Sequence, residues 1–282
     1  MTLPRLLTLV RHGESEANVA QRYIKDKRED ELPLEEYDER HDSFMRLTPE
    51  GAEQAKATGE FLRLQNLPSG HFYVSPHVRT QETAYNLALD AEWRIDDRIR
   101  ERDWGEVVSH RRMQDEDKRI RSLNEWYWTP RGGESLAAGL RTRLEAMMTA
   151  QYRRKNVEHS LMVCHGEVMR VFQFIIERLT PARLLEIEAD DTHRVHNAMV
   201  MQYSSVDPLL AARGDTVEPT NHYGWRRAIC PWDRSLDWDD GEWVRVQPRR
   251  FSNEDLRQHF TAYPRLLKNI DLTATIPVVS PD

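Results

Sequence analysis

Two apolar runs that read as buried strands, Leu6–Val10 and Leu161–Cys164, each lead into a histidine and a glycine: Arg11-His12-Gly13 after the first, His165-Gly166 after the second. In a parallel α/β sheet the carboxyl ends of the strands lie side by side, and ligands bind just beyond them. Two such ends, 153 positions apart in the chain (165 − 12), can therefore present both imidazoles to one hollow. Either histidine alone is more often structural; the pair gains weight from a third segment. Ser75-Pro76-His77-Val78-Arg79-Thr80 follows a strand at 71–74 and opens a helix over 78–89. Free backbone N–H groups at a helix start, with Arg79 beside them, favour an anion. With Arg11 added, two guanidiniums and two imidazoles can surround one tetrahedral dianion, which the planar arginine fork suits. Asn18 adds a neutral donor.

The remaining pattern supplies a scaffold. Thr48-Pro49 reads as an N-cap with proline in the first turn, opening a helix to about Leu64. Helical stripes recur over 135–151 and 168–179, the latter through Val171, Phe172, Ile175, Ile176 and Leu179. Strands alternating with helices imply a three-layer α/β/α sandwich on a mostly parallel sheet. Residues 25–46 are charge-dense, with nine acidic and five basic residues, and are expected as a long surface loop, with or without a helical turn, between which the sequence does not decide. After about Tyr203 the character changes to Trp, Pro and Asp. Strand-like pieces at 225–230 and 242–247, around Asp239-Asp240-Gly241, suggest a hairpin, and Ser252 with Asp255 suggests a capped short helix. The expected organisation is a main domain over 1–204, carrying the insertion at 25–46, and a C-terminal extension over 205–282.

Composition narrows the partners. A net charge of −7 on 282 residues disfavours a general nucleic-acid binder, which needs a clustered basic surface. No apolar run reaches the length of a membrane span, and the N-terminal stretch lacks the features of a signal peptide. Cys164 and Cys230 cannot build a disulfide framework, and no paired cysteine motif for zinc exists. The expectation is a cytoplasmic protein with no membrane partner. His193 and His196 lack an evident third metal ligand, and Cys164, pointing away from its neighbour His165, reads as an inert buried thiol.

The decapeptide Leu9-Val10-Arg11-His12-Gly13-Glu14-Ser15-Glu16-Ala17-Asn18 resembles the signature of the histidine phosphatase superfamily, the phosphoglycerate-mutase-like group. Ser75-Pro76 with Arg79-Thr80 and Thr83-Ala84, Arg100-Glu101 with Trp104-Gly105, Gly132-Gly133-Glu134-Ser135, and His165-Gly166 arrive in that family's order, over roughly residues 3–204. The resemblance implies that His12 is the nucleophile and forms a phosphohistidine. It implies that Arg11, Arg79 and His165 hold the phosphoryl oxygens, that Glu101 is the proton donor, and that neither a metal nor a cofactor is needed. A neutral imidazole must attack, so its other nitrogen must donate to a fixed acceptor. Glu101 must be protonated for part of the cycle; repulsion from the substrate's charge is expected to raise its pKa. Glu106 and Glu14 stand as alternatives for the acid.

Within that family, residues 106–131 lack the Arg-rich Ser-x-Asp segment of the cofactor-dependent mutases, and Trp126-Tyr127-Trp128-Thr129-Pro130 looks closer to the phosphatases, including fructose-2,6-bisphosphatase. The expected activity is hydrolysis of a small phosphorylated metabolite. A 2,3-bisphosphoglycerate-dependent mutase and a non-catalytic phosphate- or partner-binding module are the alternatives. Arg111, Arg112, Lys118, Arg119 and Arg121 are candidates for a second anionic group, a solvated helix face being the rival reading. The extension with Trp225, Trp232, Trp238 and Trp243 is open to three roles: capping the site, joining two copies in a homodimer, or packing on the sheet.

Overall fold

A computed structural model of the chain describes residues 3–105, 115–153, 157–246 and 250–261. Strand β1 (Leu6–Arg11) leads into helix α1 (Glu16–Lys25). The charged insertion carries α2 (Leu34–Glu39) between two 3₁₀ turns, Glu29–Glu31 and Asp42–Phe44. Next come α3 (Pro49–Leu64), β2 (Gly70–Val74), α4 (Val78–Asn86), β3 (Trp93–Ile95) and α5 (Asp115–Leu123). A π-helical turn, Leu136–Leu140, runs into α6 (Arg141–Tyr152). Then follow β4 (His159–Cys164), α7 (Gly166–Glu177), α8 (Pro181–Glu188), β5 (Val200–Ser204), α9 (Pro208–Ala212), β6 (Trp225–Ile229) and β7 (Val244–Arg245). The chain divides into two compact units, Met1–Pro248 and Arg249–Asp282. The second contains α10 (Asn253–Thr261), where the Ser252 hydroxyl accepts from Asp255 N at 3.1 Å and Asp255 Oδ2 accepts from Ser252 N at 2.8 Å. Residues 271–282, Gln247, Glu106, Arg111 and Arg112 lie outside the described residues.

One seven-stranded sheet in the order β3-β2-β4-β1-β5-β6-β7 organises the first unit. Strands β1, β2, β3 and β4 run parallel, whereas β5, β6 and β7 add antiparallel pairings. The sheet is therefore mixed: the parallel part expected from the sequence is β1–β4, and the pairings beyond β1 are antiparallel. A single crossover helix returns the chain to the amino ends of the strands. Two helices, α7 and α8, separate β4 from β5, and β5 starts instead at the carboxyl end of β1, with Val200 opposite Val10. The expected hairpin forms as β6 and β7 and extends this same sheet.

Side-chain alternation splits the sheet's two faces into two cores. Leu7, Leu9, Met162, Cys164, Met201 and Tyr203 pack with Leu144 and Met147 of α6 and Val168 and Phe172 of α7. Val10, Leu161, Val163 and Val200 pack on the other face with Leu62 and Leu87, the latter just past α4. Helices thus cover both faces, and each strand end emerges between them. The helix expected from Ser135 begins as a π turn because Leu140 N reaches back five residues to Ser135 O, at 3.1 Å.

Gly13 and Gly51 bring the loop after β1 onto the first turn of α3. A Cβ on Gly51 would sit 2.0 Å from Glu14 O, and one on Gly13 would sit 2.2 Å from Gly51 O. Alanine inside a helix is ordinarily more stable than glycine. Here the backbone clash reverses the sign: Gly51→Ala is expected to destabilise the fold by about 1–3 kcal/mol, read from urea unfolding. A gain in stability would contradict this packing.

Candidate active site

The carboxyl ends of β1, β4 and β2 are adjacent, and ladder-like bonds carry their order one step further. His12 N donates to Cys164 O at 3.0 Å, and Ser75 N donates to Val163 O at 3.0 Å. His12, His165 and the Ser75–Arg79 turn therefore leave the sheet together. The His12 and His165 rings stand 5.2 Å apart at 63°, and the His77 and His165 rings 4.7 Å apart. A cavity of ≈ 560 Å³ opens here, and Arg11, His12, Asn18, Arg79 and Glu101 all line it. His165 is fully buried behind that wall, next to the lining residue Gly166.

His12 Nδ1 donates to the Gly13 carbonyl at 2.8 Å, which leaves Nε2 with its lone pair; Arg79 Nε approaches that nitrogen at 3.3 Å. Burial, then the charges of Arg79 and Arg11, hold His12 well below the ordinary 6.5, so the ring is neutral at neutral pH. Burial and the same cations also lower His165. Its Nε2 shares a 2.8 Å hydrogen bond with the Ser75 hydroxyl, while its buried Nδ1 has no hydrogen-bond partner among the described residues and lies 3.5 Å from Glu101 Oε2. Arg11 donates Nη1 to Val195 O at 2.7 Å; its buried Nε is unpartnered among the described residues. Burial lowers Arg11 to about 10, still cationic at neutral pH.

Glu101 accepts from Arg102 N at 3.0 Å through Oε1. Its pKa is raised, and burial is the cause even without a phosphate present, against the expectation that substrate charge would be needed. Glu14, the other carboxylate considered, is held by Arg22 at 2.7 Å and by the Thr48 hydroxyl at 3.0 Å, and does not line the cavity. Asn18 engages its Oδ1 with Ser15 N at 3.1 Å and Asn197 Nδ2 at 3.0 Å, leaving its own amide as donor. Gly132-Gly133-Glu134-Ser135 is a turn and helix cap: Gly132 has φ 73°, and the Ser135 hydroxyl accepts from Ala138 N at 3.0 Å. Burial raises the Cys164 thiol, in keeping with an inert core position. His193 turns to Asp190, at 2.9 Å, and to the Trp238 ring.

Several lining residues had no earlier assignment. Asp42 contacts Arg79; Glu167, Arg170, Glu188 and Arg194 form the far wall. Glu167 was adjacent to His165-Gly166 in the sequence, yet nothing in the letters showed its carboxyl buried, which raises its pKa to about 8. Arg121 lines the cavity but is paired with Glu125. The Trp-rich segment packs beneath the site: Trp232 Nε1 donates to Asn197 O at 2.7 Å and Trp238 Nε1 to Arg194 O at 2.9 Å. These two indoles brace the loop that supplies the acceptor for Arg11 and the donor for Asn18. Among the described residues no group of three or more His, Cys, Asp and Glu side chains could hold a metal ion, and no helix is long and apolar enough to cross a membrane.

Comparison with known proteins places the chain in a family. A phosphoglycerate mutase-like protein of Arabidopsis thaliana is 26% identical over 297 aligned positions, covering 95% of this chain and 96% of that one. Human 6-phosphofructo-2-kinase/fructose-2,6-bisphosphatase 4 is 30% identical over 173 positions, but the match spans 59% of this chain and only 32% of that protein. A 2,3-bisphosphoglycerate-dependent phosphoglycerate mutase of Afipia carboxidovorans is 26% identical, covering 65% and 86%. Among solved structures, the α-ribazole phosphatase of Shigella flexneri superposes with a TM-score of 0.54 at 22% identity, covering 72% of this chain and 90% of that one. A mycobacterial glucosyl-3-phosphoglycerate phosphatase does so with a TM-score of 0.51 at 23% identity, covering 71% and 92%. At those identities the structural likeness is one of fold. The family model of the histidine phosphatase superfamily (branch 1) matches residues 7–204, about 70% of the chain, and the chain belongs to that superfamily.

Proposed function

We propose that the protein is a phosphomonoesterase for a small phosphorylated metabolite and acts through a phosphohistidine on His12. The observation that carries this reading is the state of that ring: Nδ1 tied to a carbonyl, Nε2 unprotonated and faced by Arg79, with a carboxyl of raised pKa on the same cavity. The Nε2 lone pair attacks phosphorus in line, the P–O bond to the leaving group breaks, and the alkoxide takes the Glu101 proton. The Glu101 carboxylate then removes a proton from water as its oxygen attacks the phosphohistidine. The N–P bond breaks, releasing inorganic phosphate and restoring neutral His12. Arg11, through its unpartnered Nε, and Arg79 offset the charge of the phosphoryl oxygens, with Asn18 and the free Nδ1 of His165 as further donors; such fixed dipoles and charges provide most of the acceleration in phosphoryl transfer.

Release of inorganic phosphate from a panel of phosphorylated metabolites tests the reading. The expected result is hydrolysis without 2,3-bisphosphoglycerate. Isomerisation of phosphoglycerate that requires 2,3-bisphosphoglycerate, with no net phosphate release, would assign the chain to the mutases instead.

The site also dictates a pH profile. His12 must be neutral and its pKa lies well below 6.5; Glu101 must be protonated and its pKa lies above 4.5. With the substrate's own ionisation divided out, kcat/KM for an alkyl phosphomonoester is expected to fall as pH rises through the Glu101 pKa. Lowering the pH through 6.5 brings no loss. A profile that climbs with pH across 6.5 would show that His12 titrates there and contradict the electrostatics described above.

A further inference from the structure

The residue that closes the phosphoryl seat comes from the charged insertion, and the proposed reaction makes no use of it. Asp42 opens the 3₁₀ turn Asp42–Phe44. Its Oδ2 lies 2.9 Å from Arg79 Nη2 and 3.5 Å from His77 Nε2, and its carbonyl oxygen accepts from Arg79 Nη1 at 2.7 Å. The remaining nitrogen of that guanidinium, Nε, points to His12 Nε2. Both terminal nitrogens of the arginine that faces the nucleophile are thus engaged by a single residue. We propose that Asp42 is an internal ligand for the phosphoryl seat, holding Arg79 and His77 until a dianionic phosphoryl group displaces it, and so restricting the site to phosphomonoesters. The inference rests on the phosphomonoesterase reading of the same pocket.

Three observations support it. Burial alone would raise the Asp42 pKa, but the His77 ring and the Arg79 charge outweigh it and hold the carboxyl below its ordinary range; it is an anion competing for cations. The turn that carries it has little core packing of its own: Asp42–Phe44 buries no side chain and Phe44 is 62% exposed, while the buried Met45 that follows anchors its far end, so the carboxylate can swing without unfolding the segment. On either side of it Arg40 reaches the exposed Glu16 carboxylate, and Arg46 pairs with Glu82 and bonds Glu16 through both its backbone N and O, so the freedom is confined to the turn itself. Finally, a tethered carboxylate meets Arg79 at a high effective concentration. A phosphodiester or a free carboxylate brings the same single charge and gains nothing over it. A phosphomonoester dianion brings two, and oxygens enough for both Arg79 and Arg11.

Calorimetric titration of the full-length chain with inorganic phosphate tests this. Asp42→Asn and Asp42→Ala are expected to bind phosphate about tenfold more tightly than wild type, since removing a competing state raises the fraction ready to bind. Sodium acetate should weaken phosphate binding to Asp42→Ala, by filling the vacated place, and leave wild type unaffected. Glu39→Gln, which neutralises an exposed acid of the same insertion away from the cavity, should leave the affinity unchanged. Phosphate affinity that is unchanged or weaker in both Asp42 variants would overturn the proposal while leaving the hydrolase reading intact; Asp42 would then be a residue that positions Arg79. Equal tightening by Glu39→Gln would reduce the effect to bulk charge and overturn it too. Absence of phosphate binding by wild type and variants alike would overturn both readings.

Discussion

Replacement of His12 with alanine is expected to lower turnover of a chromogenic aryl phosphate by about 10⁴-fold or more, the scale seen when a covalent nucleophile is deleted. The effect is large because no other group on the cavity can take over the attack. His165 is fully buried and turns Nε2 toward Ser75, while His77 is directed at Asp42 through its own Nε2. Of the other lining side chains that could attack, His41 binds Ser43 through Nδ1 and the Ser15 hydroxyl donates to Asn18, while the ionised groups are cations or carboxylates. Phosphate binding should largely survive, because Arg11 and Arg79 remain. The comparison is made at equal folded fraction, checked by circular dichroism, since the ring is buried and its loss leaves a small cavity. Turnover by His12→Ala equal to wild type would remove the phosphohistidine from the account.

Glu101→Gln is expected to reduce turnover of an alkyl phosphomonoester by about 10²–10⁴-fold, the range for loss of a general acid. The dependence on leaving group distinguishes this from simple damage to the site. An alkoxide needs a proton as the P–O bond breaks, whereas a weakly basic aryloxide hardly does. Phosphoryl transfer to His12 from an aryl phosphate should therefore continue in the variant, but the second half-reaction loses its base. A burst of aryl alcohol followed by a slow steady state is the expected trace. A uniform loss for both substrates, with no burst, would place the acid elsewhere. Glu167, which lines the same cavity with its pKa raised by burial to about 8, is the residue to examine next in that case.

The parts of this site that were legible in the sequence are those whose chemistry is tied to a chain landmark. His12, His165 and Arg79 each sit just beyond a strand of buried apolar residues, and strand ends converge by topology. The helix start at Thr48-Pro49 follows from local capping, the Thr48 hydroxyl accepting from Gly51 N. What could not be read depends on long-range placement. Asp42 is one of nine acids in a segment with no periodicity, and only the folded chain shows that this one reaches Arg79. The reversal of β5 depends on α7 and α8 together, not on any residue of β5, whose apolar run suits either direction. The raised pKa of Glu101 was expected from substrate charge but arises from burial, a property of how the 100–105 loop packs over α7 and not of the charged letters around it. Trp232 and Trp238 looked like an unassigned aromatic tail, and their indole N–H bonds to Asn197 and Arg194 carbonyls make them supports of the site.

The most direct test is to quench Glu101→Gln with denaturant during the burst on an aryl phosphate, digest it under alkaline conditions, and map the phosphoryl group by mass spectrometry. The account predicts one phosphoryl group on the peptide containing His12, lost on brief acid treatment and absent when His12 is also replaced. A phosphoryl group on any other side chain, or continued turnover with no covalent species in the burst, would contradict it.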